Sequence, residues 1–251
     1  LAAAPANQSL RDVMIVRPLY AATMLLAIVA GVVILRLRQR SLGLTTEQRW
    51  MLGLGAFCGG MIGAKLPFLI VDGWQQGWSA SLWLADGKTI LAGIVGAYFG
   101  VEFAKWTGRI DIKTGDSFAV PAAVAVGIGR IGCYLGGCCY GAATTLPWGQ
   151  VFPGSGDLQP RHPTQLYEAG FHLTCALLLW GLDRGGWLRH QHMKLYLLCY
   201  LGYRFVTEFI RPEPQVLAGL TLYQLATIPL ALLFGVLWWR DSKPAPIRLP
   251  E

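Results

Sequence analysis

Three short segments hold residue types that could do chemistry. In one, Tyr200, Arg204, Glu208 and Arg211 follow i, i+4, i+8, i+11 spacing. On a helix that places a phenol, two guanidiniums and a carboxylate on one face. A guanidinium stays charged and meets phosphate oxygens with two parallel N–H donors, so two or three converging arginines suit a phosphate ester. In the second, Gly127 to Gly141, Arg130 precedes Cys133, Cys138 and Cys139 among glycines that permit tight turns. In the third, Arg161-His162-Pro163-Thr164-Gln165-Leu166-Tyr167-Glu168, proline suits the first turn of a helix. His162, with an ordinary pKa of about 6.5, has the chemistry of a base or a headgroup contact. The same stretch also reads as a structural turn, with Gln165 and Glu168 holding neighbouring helices in register.

The three clustered thiols leave several roles open. A structural role, including a disulfide, suits an oxidising compartment. A nucleophilic thiol forming a covalent intermediate is the second. The third is a metal site with His162, but the C-x4-C-C spacing does not match the common zinc pattern, so no metal is expected. Cys58, Cys175 and Cys199 lie in apolar runs and read as packing residues.

Composition decides what must position these segments. Of 251 residues, 54% are hydrophobic and 14% charged, against about 25% charged in soluble domains. Seven apolar runs approach or reach the roughly 20 residues that cross a bilayer: Pro18–Leu35, Trp50–Val71, Thr89–Trp106, Ser117–Tyr134, Thr164–Leu182, Met193–Ile210 and Leu220–Trp239. The expectation is an all-α, polytopic, seven-helix membrane protein, a single domain over 1–251 with an outward loop near 135–163. Glycines in the second, third and fourth runs predict one tight bundle of those three helices.

The net charge of +7 would suit nucleic acid in a soluble protein. Here the basic residues cluster between alternate apolar runs, so they read as membrane orientation and no nucleic acid is expected. Arg36, Arg38, Arg40 and Arg49, then Lys105, Arg109 and Lys113, then Arg184, Arg189 and Lys194, then Arg240, Lys243 and Arg248 all fall on one side. This predicts a cytoplasmic C-terminus and an outward N-terminus. Lys65, Arg130, Arg204 and Arg211, with Glu168 and Glu208, break that pattern, and ionisable residues within spans are functional candidates by default. Gly87-Lys88-Thr89 resembles the end of a phosphate-binding loop but lacks the preceding glycine.

Taken together, Gly129-Arg130-Ile131-Gly132, His162-Pro163-Thr164-Gln165-Leu166-Tyr167-Glu168 and Arg204-Phe205-Val206-Thr207-Glu208-Phe209-Ile210-Arg211 resemble the signatures of the prolipoprotein diacylglyceryl transferase family. Tyr20 and Gly63-Ala64-Lys65 are looser matches. The resemblance implies transfer of the diacylglyceryl group of phosphatidylglycerol, or another anionic phospholipid, to the lipobox cysteine of a prelipoprotein acceptor. It implies no cofactor, and a site on the outer face of a bacterial inner membrane, within the lipid bilayer. Arg130, Arg204, Tyr200, Glu208 and His162 are then the expected catalytic residues. Tyr20, Lys65, Cys133, Cys138, Cys139, Gln165, Tyr167, Glu168 and Arg211 are expected to bind substrate. Three positions depart from the family: Leu91 stands where it has a histidine, Cys133 where it has an asparagine, and Cys138 where it has an acidic residue. Those departures keep two alternatives in view, a related transferase with another acceptor and a thiol-redox protein using Cys133, Cys138 and Cys139. No C-x-x-C supports redox chemistry. The charges gather near one face, against a transporter with a midplane site.

Overall fold

A computed structural model describes residues 6–76, 89–152 and 155–242, with the side chains of all but 6–17 and 71–76 among them. The chain is mostly helical. Among the described residues seven α-helices follow in order: α1 (Ala6–Gln39), α2 (Thr46–Gln76), α3 (Ile90–Thr107), α4 (Gly115–Leu135), α5 (Thr164–Arg184), α6 (His192–Thr207) and α7 (Leu222–Ser242). Four stretches, Pro18–Leu42, Thr46–Ile70, Gly115–Leu135 and Leu222–Ser242, are long and apolar enough to cross a membrane. A helix is the form in which a lipid-immersed segment satisfies its own backbone polar groups. Gly87, Lys88, Lys243 and Arg248 lie outside the described residues.

Burial follows the logic of a lipid solvent. Leu25, Ile28, Leu54, Phe57, Leu177 and Leu232 are exposed, while Gln165, Glu168, His172 and Gln224 are buried. A shared apolar core, including Leu91, Ala123, Leu179, Leu197 and Phe234, joins α3 to α7.

The closest helix pair is α2 with α3. Gly55, Gly59 and Gly63 face Gly96 and Gly100 so tightly that a Cβ on Gly59 would sit 2.3 Å from the Gly96 carbonyl oxygen, and one on Gly100 2.1 Å from that of Gly55. Where lipid removes the hydrophobic drive between helices, such close backbone contact supplies association. Gly59→Ala is therefore expected to cost about 1–3 kcal/mol, the usual cost of overpacking. Gly53→Ala, where no atom lies within 4 Å of the added carbon, is expected to leave the melting midpoint in detergent unchanged.

The expected three-helix glycine bundle is not what forms. The glycines of α4 receive side chains from other helices: Gly132 faces Met24 and Thr23 of α1, and Gly127 faces Leu173 of α5. A small residue permits a close approach, and the neighbour's shape decides who makes it.

The two ends of the bundle differ. At one end Arg38 of α1 pairs with Asp183 of α5 at 3.0 Å, and Asp116 of α4 accepts the backbone N–H of His192 of α6 at 3.0 Å. Lys194 of α6 meets Asp241 of α7 at 3.0 Å there. The other end carries the irregular 136–163 segment. It is tied down by Gly141 N–H to His162 O at 2.9 Å and Ala142 N–H to Ile210 O at 2.8 Å. A Cβ on Gly141 would lie 2.8 Å from the Ile210 carbonyl oxygen, so this crossing requires glycine.

The expected single face through Arg211 is corrected here. α6 ends at Thr207, Glu208–Ile210 tightens into a 3₁₀ turn, and Arg211 is extended with φ −106° and ψ 148°. A short hairpin, β1 (Gln215–Leu217) with β2 (Leu220–Thr221), then leads into α7. Arg211 thus leaves the helix axis and reaches a different carboxylate from the one Arg204 uses.

Candidate active site

Glu168, one turn into α5 and fully buried, is the hub of the irregular end. Its Oε2 accepts from Arg130 Nη2 of α4 at 2.6 Å and from Arg211 Nη2 at 3.0 Å. Its Oε1 accepts the Tyr200 hydroxyl of α6 at 2.5 Å. His172 Nε2 lies 3.8 Å from the same oxygen, and His172 Nδ1 meets the Tyr196 hydroxyl at 2.8 Å. Beside this hub, Arg204 Nη2 donates to Glu208 Oε2 at 2.7 Å. Thr221 Oγ1 donates to Glu208 Oε1 at 3.3 Å. The Arg204 guanidinium also lies 5.6 Å from the Tyr223 ring centre, within cation–π range.

Three guanidiniums face the two carboxylates that pair with them, and Glu213 stands in the same cavity wall. Arg130, Arg204 and Arg211 all line one cavity of about 740 Å³, together with Tyr20, Leu91, Tyr200 and Tyr223. Buried Arg130 Nε, Arg204 Nη1 and Arg211 Nε have no hydrogen-bond partner among the described residues. A buried donor left without a partner costs free energy. A cavity lined by three guanidiniums with unused donors is built to hold an anion.

The family model described as prolipoprotein diacylglyceryl transferase matches residues 12–240, most of the chain. The chain belongs to that family. The phosphatidylglycerol--prolipoprotein diacylglyceryl transferase of Clostridium tetani is 31% identical over 78% of this chain and 81% of that protein. The enzyme of the same name from Coxiella burnetii strain Dugway is 42% identical over 49% of each chain. That from Legionella pneumophila strain Corby is 29% identical over 74% of this chain and 75% of its own.

Within this diacylglyceryl transferase relative, the expected site residues divide into three groups. Tyr20, Arg130, Cys133, Cys138, Cys139, Tyr200, Arg204 and Arg211 line the cavity. Glu168 and Glu208 stand behind the arginines and orient them. Lys65, His162, Gln165 and Tyr167 are not in the lining. Lys65 is buried on α2 with its ammonium 5.4 Å from the Phe68 ring. His162 Nδ1 lies 3.3 Å from the Tyr167 hydroxyl, which accepts Trp148 Nε1–H at 2.7 Å. Gln165 Nε2 donates to the Cys138 carbonyl at 2.6 Å, and Thr164 Oγ1 to that of Cys139 at 2.9 Å. These residues of the His162–Glu168 motif shape the loop, and Glu168 alone reaches the arginines.

Sequence reasoning missed His172 and Tyr196, which extend the Glu168 network. The signals were present: Glu168 and His172, like Tyr196 and Tyr200, are four residues apart on a helix. It also missed Tyr223 and Glu213 in the cavity wall. Nothing in their local pattern marks them, since the hairpin before α7 delivers them.

Leu91, expected to stand where the resembled family has a histidine, lines the cavity, and among the described residues no histidine is in the lining. The sulfurs of Cys133, Cys138 and Cys139 lie within 4.8 Å of one another, and all three are free thiols. The chain turns sharply there, with φ 65° at Gly137 and 61° at Cys139. Hydrogen bonding from the Cys133 and Cys138 thiols, reinforced by Arg130 and Arg211, holds Cys139 far below the usual thiol range. Cys138, which gives up that advantage to its two neighbours, is pushed far above it.

Proposed function

We propose that this chain is a phospholipid-dependent diacylglyceryl transferase whose donor is phosphatidylglycerol and whose acceptor is the lipobox cysteine of a prelipoprotein. The observation that carries this is the convergence of Arg130, Arg204 and Arg211 on one cavity with guanidinium N–H groups unused. The lipid phosphate enters the cavity and takes those donors. The acceptor sulfur attacks the glyceryl carbon next to the phosphate oxygen. A carbon–sulfur bond forms and the carbon–oxygen bond breaks. Glycerol phosphate leaves with the bonding electrons, and the thiol proton ends on it or in solvent. Charge grows on the departing phosphate, where preorganised donors stabilise the transition state most. Tyr200 is held by Glu168 beside Arg130, and Glu208 fixes the plane of Arg204, so neither arginine must reorganise during the reaction.

All seven helices span the bilayer of a bacterial inner membrane as one domain. Basic residues of the alternate loops gather at the end opposite the cavity, where Arg38 and Lys194 find their partners. By the positive-inside rule that end is cytoplasmic, which turns the cavity outward and leaves the C-terminus inside. An outward cavity meets exported acceptors and outer-leaflet lipid.

The test is incubation of the purified protein with phosphatidylglycerol and a lipobox peptide, followed by peptide mass spectrometry. The expected result is a mass gain of one diacylglyceryl group on the cysteine. Lipid turnover with an unmodified peptide would replace the acceptor, and no lipid turnover by folded protein would remove the proposal.

A further inference from the structure

The thiol cluster goes beyond the transfer reaction and does not depend on it. Zinc bound to thiolates at about 2.3 Å spaces the sulfurs roughly 3.8–4.0 Å apart, for tetrahedral to trigonal geometry. The Cys133, Cys138 and Cys139 sulfurs, all within 4.8 Å of one another, need only a small closing motion to reach that spacing. Their backbone is already held. Cys138 N–H bonds the Cys133 carbonyl at 3.1 Å, closing the end of α4. Gln165, fully buried, and Thr164 fix the carbonyls of Cys138 and Cys139 from α5. The left-handed backbone at Gly137 and Cys139 turns the last two sulfurs back towards the first. Sequence spacing gave no hint of this, because the zinc pattern assumes ligands on a short knuckle, whereas here a helix end and a double turn bring them together.

We propose that Cys133, Cys138 and Cys139 form a three-thiolate binding site for a soft, thiophilic metal cation, of which zinc(II) is the working probe. Binding makes three metal–sulfur bonds and releases the thiol protons to solvent. The fourth position opens on the cavity that the three cysteines line, the arrangement of zinc sites that keep an exchangeable ligand. Arg130 and Arg211, in the same cavity wall, offset the negative charge that three thiolates leave around a divalent cation.

The experiment uses the full chain in detergent, reduced and stripped with chelator, titrated with zinc(II) against a chromophoric competitor. One equivalent is expected to bind, both in the native chain and in a variant with Cys58, Cys175 and Cys199 changed to serine. Each of Cys133→Ser, Cys138→Ser and Cys139→Ser is expected to weaken that binding at least about tenfold, since even residues that only support ligands cost 10–100-fold. X-ray absorption of the native zinc complex, which needs no variant to fold, is expected to show three sulfur neighbours at about 2.3 Å. Fewer than three sulfurs, binding unchanged in Cys139→Ser, or a disulfide among the three at saturating zinc would each overturn the proposal.

Discussion

Replacing Arg204 by lysine is expected to lower diacylglyceryl transfer by about 10²–10³-fold, the usual loss when one preorganised transition-state donor goes. The argument is geometric. One arm of the guanidinium, Nη2, is held by Glu208 at 2.7 Å, while buried Nη1 has no partner among the described residues. Lysine keeps the charge but is a single point of donation on a flexible stem. It can satisfy Glu208 or reach the phosphate, and not both in the fixed plane that the arginine has. The loss should therefore fall on turnover, with the melting midpoint and detergent elution profile retained because Glu208 keeps a cation. Initial rates with labelled phosphatidylglycerol, normalised to folded protein, measure it. Full activity in the lysine variant would remove Arg204 from the phosphate site.

Glu168→Gln is expected to act on stability first. The substitution keeps the shape of the side chain and removes the one carboxylate that Arg130 and Arg211 share. Glu168 itself is fully buried and Arg130 is 5% exposed, so water cannot replace the lost charge. Removing one partner of a buried pair costs about 3–5 kcal/mol. For a chain of this size that is a fall of roughly 6–20 °C in melting midpoint. The contrast is Asp157→Ala, which breaks a partly exposed loop pair with Arg161 and is expected to lower the midpoint far less than Glu168→Gln does, since such pairs contribute little. Equal melting curves for Glu168→Gln and the native chain would mean that the hub does not organise the cluster.

The helices were legible because their signal is redundant. Runs of about 20 apolar residues and loop charges place the same boundaries twice, and α3, α4 and α5 begin and end within two residues of the expected limits. The arginines were legible because charge is costly in such runs. What was hidden depends on irregular backbone. Arg211 looked like the fourth residue of a helical stripe, yet the 3₁₀ turn at Glu208–Ile210 sends it to Glu168. His162 read either as a base or headgroup contact or as part of a structural turn, and the loop that crosses at Gly141 sets its Nδ1 3.3 Å from the Tyr167 hydroxyl. Tyr223 and Glu213 joined the cavity through a hairpin with no apolar period to announce it. Spacing along a helix is local and readable. Contacts set by a 3₁₀ turn, a hairpin or a glycine crossing join residues far apart in sequence, and local pattern does not encode them.

The most direct test of the account follows both products of one reaction. Phosphatidylglycerol labelled in its headgroup glycerol is supplied with a lipobox peptide, and released glycerol phosphate and thioether-linked peptide are counted together. The account predicts one glycerol phosphate for each diacylglyceryl peptide, with both lost in parallel in Arg204→Lys. Glycerol phosphate released without thioether, or thioether formed at the native rate in Arg204→Lys, would contradict it.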